Sequence, residues 1–261
     1  TSVPVVIMLH GEGTSGRTAA RETAWATKAD QAGFLAVFPD ALPRDPSRPA
    51  HFFSNPRIWR DGSHPFNAPR EAVDDMGFFE QLVGDLDMHL AIDRRRIFVA
   101  GFSNGGSMAF RLASALPKKM AAIGVVGGYL WLEPRKLDSR VPLLYMAGSE
   151  DPFVPLAGGK VKVPGEGFEI RPPVGESIIA WAKLTGCVPQ PLAVKSNGDV
   201  TVATYGGAKR SADIVCYTIE GLGHVWPGGQ RVLSERIVGK ASNKVKATDV
   251  MWDFFRKHPR M

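Results

Sequence analysis

Gly101-Phe102-Ser103-Asn104-Gly105 follows directly on the run Arg96-Ile97-Phe98-Val99-Ala100 and leads directly into Gly106-Ser107-Met108-Ala109-Phe110-Arg111-Leu112-Ala113. The order reads as a buried strand, a sharp turn and a helix, with a serine at the turn: a nucleophile elbow. A serine hydroxyl is a weak nucleophile at neutral pH. Chemistry there needs a strained turn that presents the hydroxyl, a base facing it and backbone N–H groups beside it. The flanking glycines relieve crowding, and Gly105, Gly106 and Ala109 keep the helix start slim enough to approach the strand. Two glycines and a serine are a weak signal on their own, since an ordinary glycine-rich strand-to-helix turn reads the same way. Partner residues elsewhere in the chain have to decide.

In this kind of fold the order along the chain is nucleophile, acid, then histidine. Only His224 and His258 follow Ser103. His258 sits in the charged tail Lys257-His258-Pro259-Arg260-Met261, a solvated setting. His224 sits in the glycine-rich Gly221-Leu222-Gly223-His224-Val225-Trp226-Pro227-Gly228-Gly229, after the strand-like Asp213-Ile214-Val215-Cys216-Tyr217-Thr218-Ile219, and loops at strand ends carry reactive groups. His224 is therefore the expected base. Among the acidic residues between Ser103 and His224, Asp151 ends the apolar run Val141-Pro142-Leu143-Leu144-Tyr145-Met146-Ala147-Gly148 through the turn Ser149-Glu150-Asp151-Pro152. Asp151 is the expected partner for the His224 Nδ1–H, with Glu150 the neighbouring competitor. The oxyanion donors expected are the backbone N–H groups of Asn104 and of Glu12, in the loop His10-Gly11-Glu12-Gly13 after the strand Val5-Val6-Ile7-Met8-Leu9. His10 precedes the serine and is expected to shape that loop.

Apolar strands expected at residues 3–9, 34–38, 97–100, 121–126, 143–147 and 214–219 alternate with helical patterns at 19–31, 74–90, 105–116, 175–184 and 247–257. Alternation of this kind means an α/β fold with a doubly wound, mostly parallel sheet. In the 74–90 segment Phe79, Leu82, Val83, Leu86 and Leu90 share one face. Two irregular stretches, 41–70 and 156–174, are too long for simple connectors and are expected to wall the cleft. Within the cleft, Trp59 and Trp226 are expected as exposed indoles that bind substrate. Trp25, Trp131, Trp181 and Trp252 are expected to pack.

These residues resemble an esterase family, that of polyhydroxybutyrate depolymerases and feruloyl esterases, within the α/β-hydrolase superfamily. The resemblance runs over nearly the whole chain: residues 5–11, Ala36-Val37-Phe38-Pro39-Asp40, Val73-Asp74-Asp75-Met76-Gly77-Phe78, Ile92-Asp93-Arg94-Arg95-Arg96-Ile97, the elbow, Gly148-Ser149-Glu150-Asp151-Pro152, Trp181-Ala182-Lys183-Leu184-Thr185-Gly186-Cys187 and residues 223–229. It implies a serine carboxylesterase with Ser103 as nucleophile, His224 as base and Asp151 as acid, acting on poly- or oligo(3-hydroxybutyrate). Feruloyl or acetyl-xylan-type esters are the alternative, and a serine peptidase or a non-catalytic binding module on the same fold stand further off. It also implies secretion or a periplasmic location, and further strands upstream of Val3, so that an N-terminal portion is expected to be missing from the sequence. Relatives pair a cysteine at the position of Cys187 with one near Tyr205-Gly206-Gly207-Ala208, where this chain has none. Cys216 remains as a disulfide partner, against two free thiols.

At 261 residues and 44% hydrophobic content, the chain is expected to build one catalytic domain over residues 1–261, with no cofactor and no metal. The formal net charge of +6 comes from scattered Lys and Arg without aromatic platforms, which argues against nucleic acid as partner. No segment is long and apolar enough to span a membrane.

Overall fold

Strand β1 (Val3–Leu9) sorts its side chains by parity: Val5, Ile7 and Leu9 enter one buried cluster, Val6 and Met8 another. A strand buried on both faces belongs inside a sheet covered by helices on both sides. The computed structural model describes residues 2–63, 73–131, 137–163, 167–207 and 212–260. Its strands continue with β2 (Leu35–Val37), β3 (Ile92–Phe102), β4 (Ala122–Val126), β5 (Leu143–Gly148), β6 (Gly159–Val163), β7 (Gly167–Arg171), β8 (Ala193–Ser196), β9 (Val200–Gly206) and β10 (Ala212–Ile219). Among the described residues the main sheet runs β2-β1-β3-β4-β5-β10-β9-β8, parallel as far as β10 and antiparallel beyond it.

The six strands read from the sequence are the six parallel ones. The outer pair β8–β9, exposed in β8 and mostly half-buried in β9, and the separate hairpin β6–β7 were not expected; the hairpin occupies much of the 156–174 stretch. Strand β3 also starts earlier than the 97–100 run. Its register against β1 shifts between Val3 and Val5, and this irregularity takes up the polar segment after Ile92, where Asp93 accepts from the Arg95 N–H and the Arg96 side chain.

The helices are α1 (Gly16–Thr23), α2 (Trp25–Ala32), α3 (Asp75–His89), α4 (Asn104–Ala115), α5 (Val174–Thr185), α6 (Glu235–Val238) and α7 (Ala247–Phe255). The single helix expected over 19–31 is two. Ala24 adopts a left-handed φ of 57° between them. The Glu22 carbonyl accepts from the Gln230 N–H (2.9 Å) and the Thr23 carbonyl from the Thr248 hydroxyl, so distant donors take both carbonyls at the break. On that face of the sheet Phe255 stacks on Phe98 (centroids 4.8 Å, 3° between planes) and on Trp25 (6.0 Å, 12°).

Helices α4 and α5 cover the opposite face; Phe110 of α4 meets Trp181 of α5 edge-on, with centroids 5.2 Å apart. Because β1, β3, β5 and β10 run parallel, the segments beginning at His10, Ser103, Ser149 and Glu220 leave the same edge of the sheet. Ligands of open α/β sheets bind at that edge. No helix among the described residues is long and apolar enough to cross a membrane.

Candidate active site

Ser103 joins β3 to α4 with φ 55° and ψ −123°, one of two non-glycine residues with positive φ among the described residues. Such a conformation costs on the order of 1–3 kcal/mol and persists only where its surroundings impose it. Here the Ser103 N–H donates to the Val126 carbonyl of β4 at 2.9 Å, and the Ser103 carbonyl accepts from the Ser107 N–H at 3.0 Å. The turn also demands bare backbone. A Cβ on Gly101 would stand 2.1 Å from the Gly105 carbonyl oxygen, and one on Gly105 2.3 Å from the Leu9 carbonyl oxygen.

The loop after β10 brings His224 to the same cavity. Its Nδ1 lies 2.7 Å from Asp151 Oδ2, and both side chains are buried. The other oxygen, Asp151 Oδ1, accepts the N–H groups of Phe153 and Val154, each at 2.8 Å. With both oxygens engaged, the carboxylate cannot rotate away from the ring. An Asp151 that accepts at Nδ1 fixes the tautomer with the proton there and leaves Nε2 as the basic nitrogen. Phe102 lies tilted against the imidazole (4.8 Å) and Phe153 meets it edge-on (5.2 Å, 89°). Glu150, the competitor, is exposed. His258 is occupied elsewhere, its Nδ1 at 2.7 Å from the Phe254 carbonyl.

Asn104 begins α4, so its N–H belongs to a helix first turn, where no carbonyl of the helix's own can pair with it. Its side chain has a task the sequence reading missed: Oδ1 accepts the Trp59 N–H (2.7 Å), while Nδ2 donates to the Trp59 carbonyl (3.0 Å) and to Asp61 (2.8 Å). On the opposite side, a Cβ on Gly11 would lie 3.4 Å from Ser103 Cβ, so the loop carrying Glu12 passes directly beside the serine. His10 shapes this loop. Its Nδ1 faces the Gly11 carbonyl (2.8 Å), its Nε2 accepts the Ala41 N–H (3.0 Å), and burial lowers its pKa to about 4. It is a neutral ring committed to backbone at both nitrogens.

Ser103 and His224 line a cavity of about 530 Å³. The floor comes from Gly11, Glu12 and Phe102; the walls from Phe52, Phe53 and Pro56, from Lys162 and Arg171 of the hairpin, and from residues 231–233 and 236–238. Both irregular stretches thus contribute walls, with residues 64–70 of the first and 164–166 of the second lying outside the described ones. The expected exposed indoles are absent from the lining. Trp59 and Trp226 are 0% and 1% exposed, which corrects the reading of both as open substrate surfaces. Trp59 Nε1 donates to the His10 carbonyl (3.1 Å), and its ring packs on His10 and Phe79. Trp226 Nε1 donates to Thr248 Oγ1 (3.1 Å), whose hydroxyl reaches the Thr23 carbonyl. Each indole holds a loop that carries site residues. Cys187 and Cys216 are both free, which corrects the disulfide alternative.

Glu22 of α1 lines the cavity too and was not anticipated, because nothing in a helical Arg21-Glu22-Thr23 marks burial. It is 8% exposed, and desolvation raises its pKa from 4.5 to about 7, opposed by the charge of His224.

The phospholipase/carboxylesterase family model matches residues 2–164, and the chain belongs to that family. It is a carboxylic ester hydrolase of the α/β-hydrolase superfamily. NocK of Nocardia uniformis subsp. tsuyamanensis, designated an esterase, is 24% identical over 96% of this chain and 73% of its own length. Feruloyl esterase D of Neurospora crassa is 27% identical over 70% of this chain and 56% of its own; the bifunctional acetylxylan esterase/xylanase XynS20E of Neocallimastix patriciarum is 24% identical over 57% and 19%. The chain therefore spans only about half of the former and a fifth of the latter. Among solved structures, the acetyl xylan esterase from Aspergillus awamori aligns with a TM-score of 0.61 at 16% identity, over 86% of this chain and 84% of its own. That likeness establishes the fold.

The buried position of Trp226 predicts that Trp226→Ala lowers unfolding free energy by about 3–5 kcal/mol in urea titrations. It should also depress kcat/KM on short and long acyl esters by similar factors, whereas a loss confined to long esters would mean that the indole touches substrate. The Glu22 carboxyl, with its pKa raised on folding, binds a proton more tightly in the folded state, so stability falls as pH rises from about 4.5 to about 7. Glu22→Gln should therefore gain up to about 3 kcal/mol over the parent at pH 8 and little at pH 4.5. Equal gains at both pH values would show that the carboxyl is not desolvated.

Proposed function

We propose that Ser103 is the nucleophile, His224 the general base and Asp151 the acid of a serine esterase, with the backbone N–H groups of Asn104 and Glu12 as oxyanion donors. The observation that carries this reading is the 2.7 Å contact between Asp151 and His224 Nδ1 beside a cavity that the strained Ser103 also lines. His224 Nε2 takes the Ser103 Oγ proton as Oγ attacks the ester carbonyl, and the tetrahedral oxyanion falls between the two N–H donors. The imidazolium, steadied by Asp151, then passes that proton to the leaving alcohol. Water, deprotonated by His224, attacks the acyl-enzyme and releases the acid, returning the proton to Ser103.

For substrate, the reading favours oligo- or poly(3-hydroxybutyrate)-type esters, from the motif resemblance and from apolar walls at Phe52, Phe53, Phe153, Val163, Leu233 and Ile237. A feruloyl or acetylated-polysaccharide ester is the second reading, favoured by what the relatives from Neurospora crassa and Neocallimastix patriciarum are named for. Export from the cytoplasm accompanies either substrate.

Ser103→Ala should abolish hydrolysis of 4-nitrophenyl butyrate by at least about a thousandfold while the thermal transition is retained. Asp151→Asn should lower kcat by several orders of magnitude, and Glu150→Gln should leave it within about twofold. If Glu150→Gln proved the more damaging, Glu150 would be the acid.

A further inference from the structure

The cavity walls carry an imbalance of charge. Each of the three segments that frame it contributes cations: Arg44 from the loop after β2, Lys162 and Arg171 from the hairpin, Arg231 and Arg236 around α6. Three of these are already answered: Arg44 by Glu12 (2.9 Å), Arg171 by Glu169 (2.8 Å) and Arg231 by Glu235 (2.6 Å). Lys162 and Arg236 form no ion pair among the described residues, although each sits on an element that carries or adjoins an acid. Of the lining carboxyls, Glu12 is held by Arg44, and burial raises the pKa of Glu22 to about 7, which disfavours its charged form. The same lining carries apolar side chains, among them Phe153, Val163, Leu233 and Ile237. A cavity whose lining combines apolar side chains with unanswered positive charge matches a molecule with an aliphatic body and an anionic end.

We propose that this site prefers esters that carry a free carboxylate beyond a short aliphatic chain, with Lys162 and Arg236 as the groups that recognise it. The inference rests on the reading of Ser103 as nucleophile, since it takes the ester carbonyl to lie there. It narrows the substrate class from esters in general to half-esters of dicarboxylic acids and acid-terminated oligoesters. Both cations are exposed, so they act through partly screened attraction worth a modest factor each. That attraction weakens as the Debye length shrinks with added salt.

Monoethyl adipate and ethyl hexanoate share a six-carbon acyl chain and differ in the terminal carboxylate, so their comparison isolates the charge. At pH 6.5 and low ionic strength, kcat/KM from ethanol release should favour monoethyl adipate by about tenfold. The ratio should fall to near one in 0.5 M NaCl and in the double variant Lys162→Gln, Arg236→Gln, while Lys162→Arg should keep it. A ratio near one in the unmodified protein, or a tenfold ratio that survives in the double variant, would overturn the proposal. Ethyl hexanoate hydrolysis that persists in Ser103→Ala would instead overturn the nucleophile assignment, so the two failures are distinguishable.

Discussion

Steric exclusion at the turn between β3 and α4 governs the architecture around the cavity. The backbone folds so tightly there that Gly101 and Gly105 face carbonyl oxygens at distances no Cβ could occupy. That contact lets α4 start against the end of β1 and presents Ser103 at the edge where parallel strands all end. The strain of a positive φ at a serine is offset by packing on both sides, with the Ser103 N–H committed to β4 and Gly106 pressed 2.9 Å, at its would-be Cβ, from Val125. A rigid sheet thus supplies the geometry that a flexible loop could not hold.

The remaining groups are held from behind by residues that do not line the cavity. Trp226, Thr248 and the Thr23 carbonyl link the His224 loop to α7 and to the break between α1 and α2. Trp59, clamped by the Asn104 side chain and bonded to the His10 carbonyl, links the loop after β2 to the loop that carries Glu12. The two tryptophans therefore act symmetrically, one behind each half of the site. Their apolar area stabilises the loops, and the cavity takes its own apolar surface from Phe52, Phe53 and Phe153.

The central parallel strands were legible because burial on both faces writes continuous apolar runs, and the elbow because its glycines have no substitute. The outer strands β8 and β9 were not, since β8 is exposed and β9 mostly half-buried, so no continuous buried run marks them; the β-branched Val200-Thr201-Val202 and the Asn197-Gly198 pair between the strands were the available signals. The hairpin β6–β7 stands away from the core with Phe168 and Ile170 exposed, so no burial pattern marked it. The division of the first helix depends on donors more than two hundred residues away in the chain, which no local pattern reports. The two indoles were misread for a related reason: closeness in sequence to His224 does not say which side of the loop a ring occupies. Of the candidate site, Ser103, Asp151 and His224 were legible from order and strand ends, whereas Glu22 and the cations on the walls come from three-dimensional placement alone.

If Ser103 is the group that becomes acylated, covalent trapping will mark it. Treatment with an ethyl 4-nitrophenyl alkylphosphonate, followed by peptide mass spectrometry, should find one equivalent of adduct on the peptide that contains Ser103. Its formation should slow by several orders of magnitude in His224→Ala. An adduct on another residue would rule out Ser103 as the nucleophile, and labelling at an unchanged rate without His224 would rule out His224 as its base.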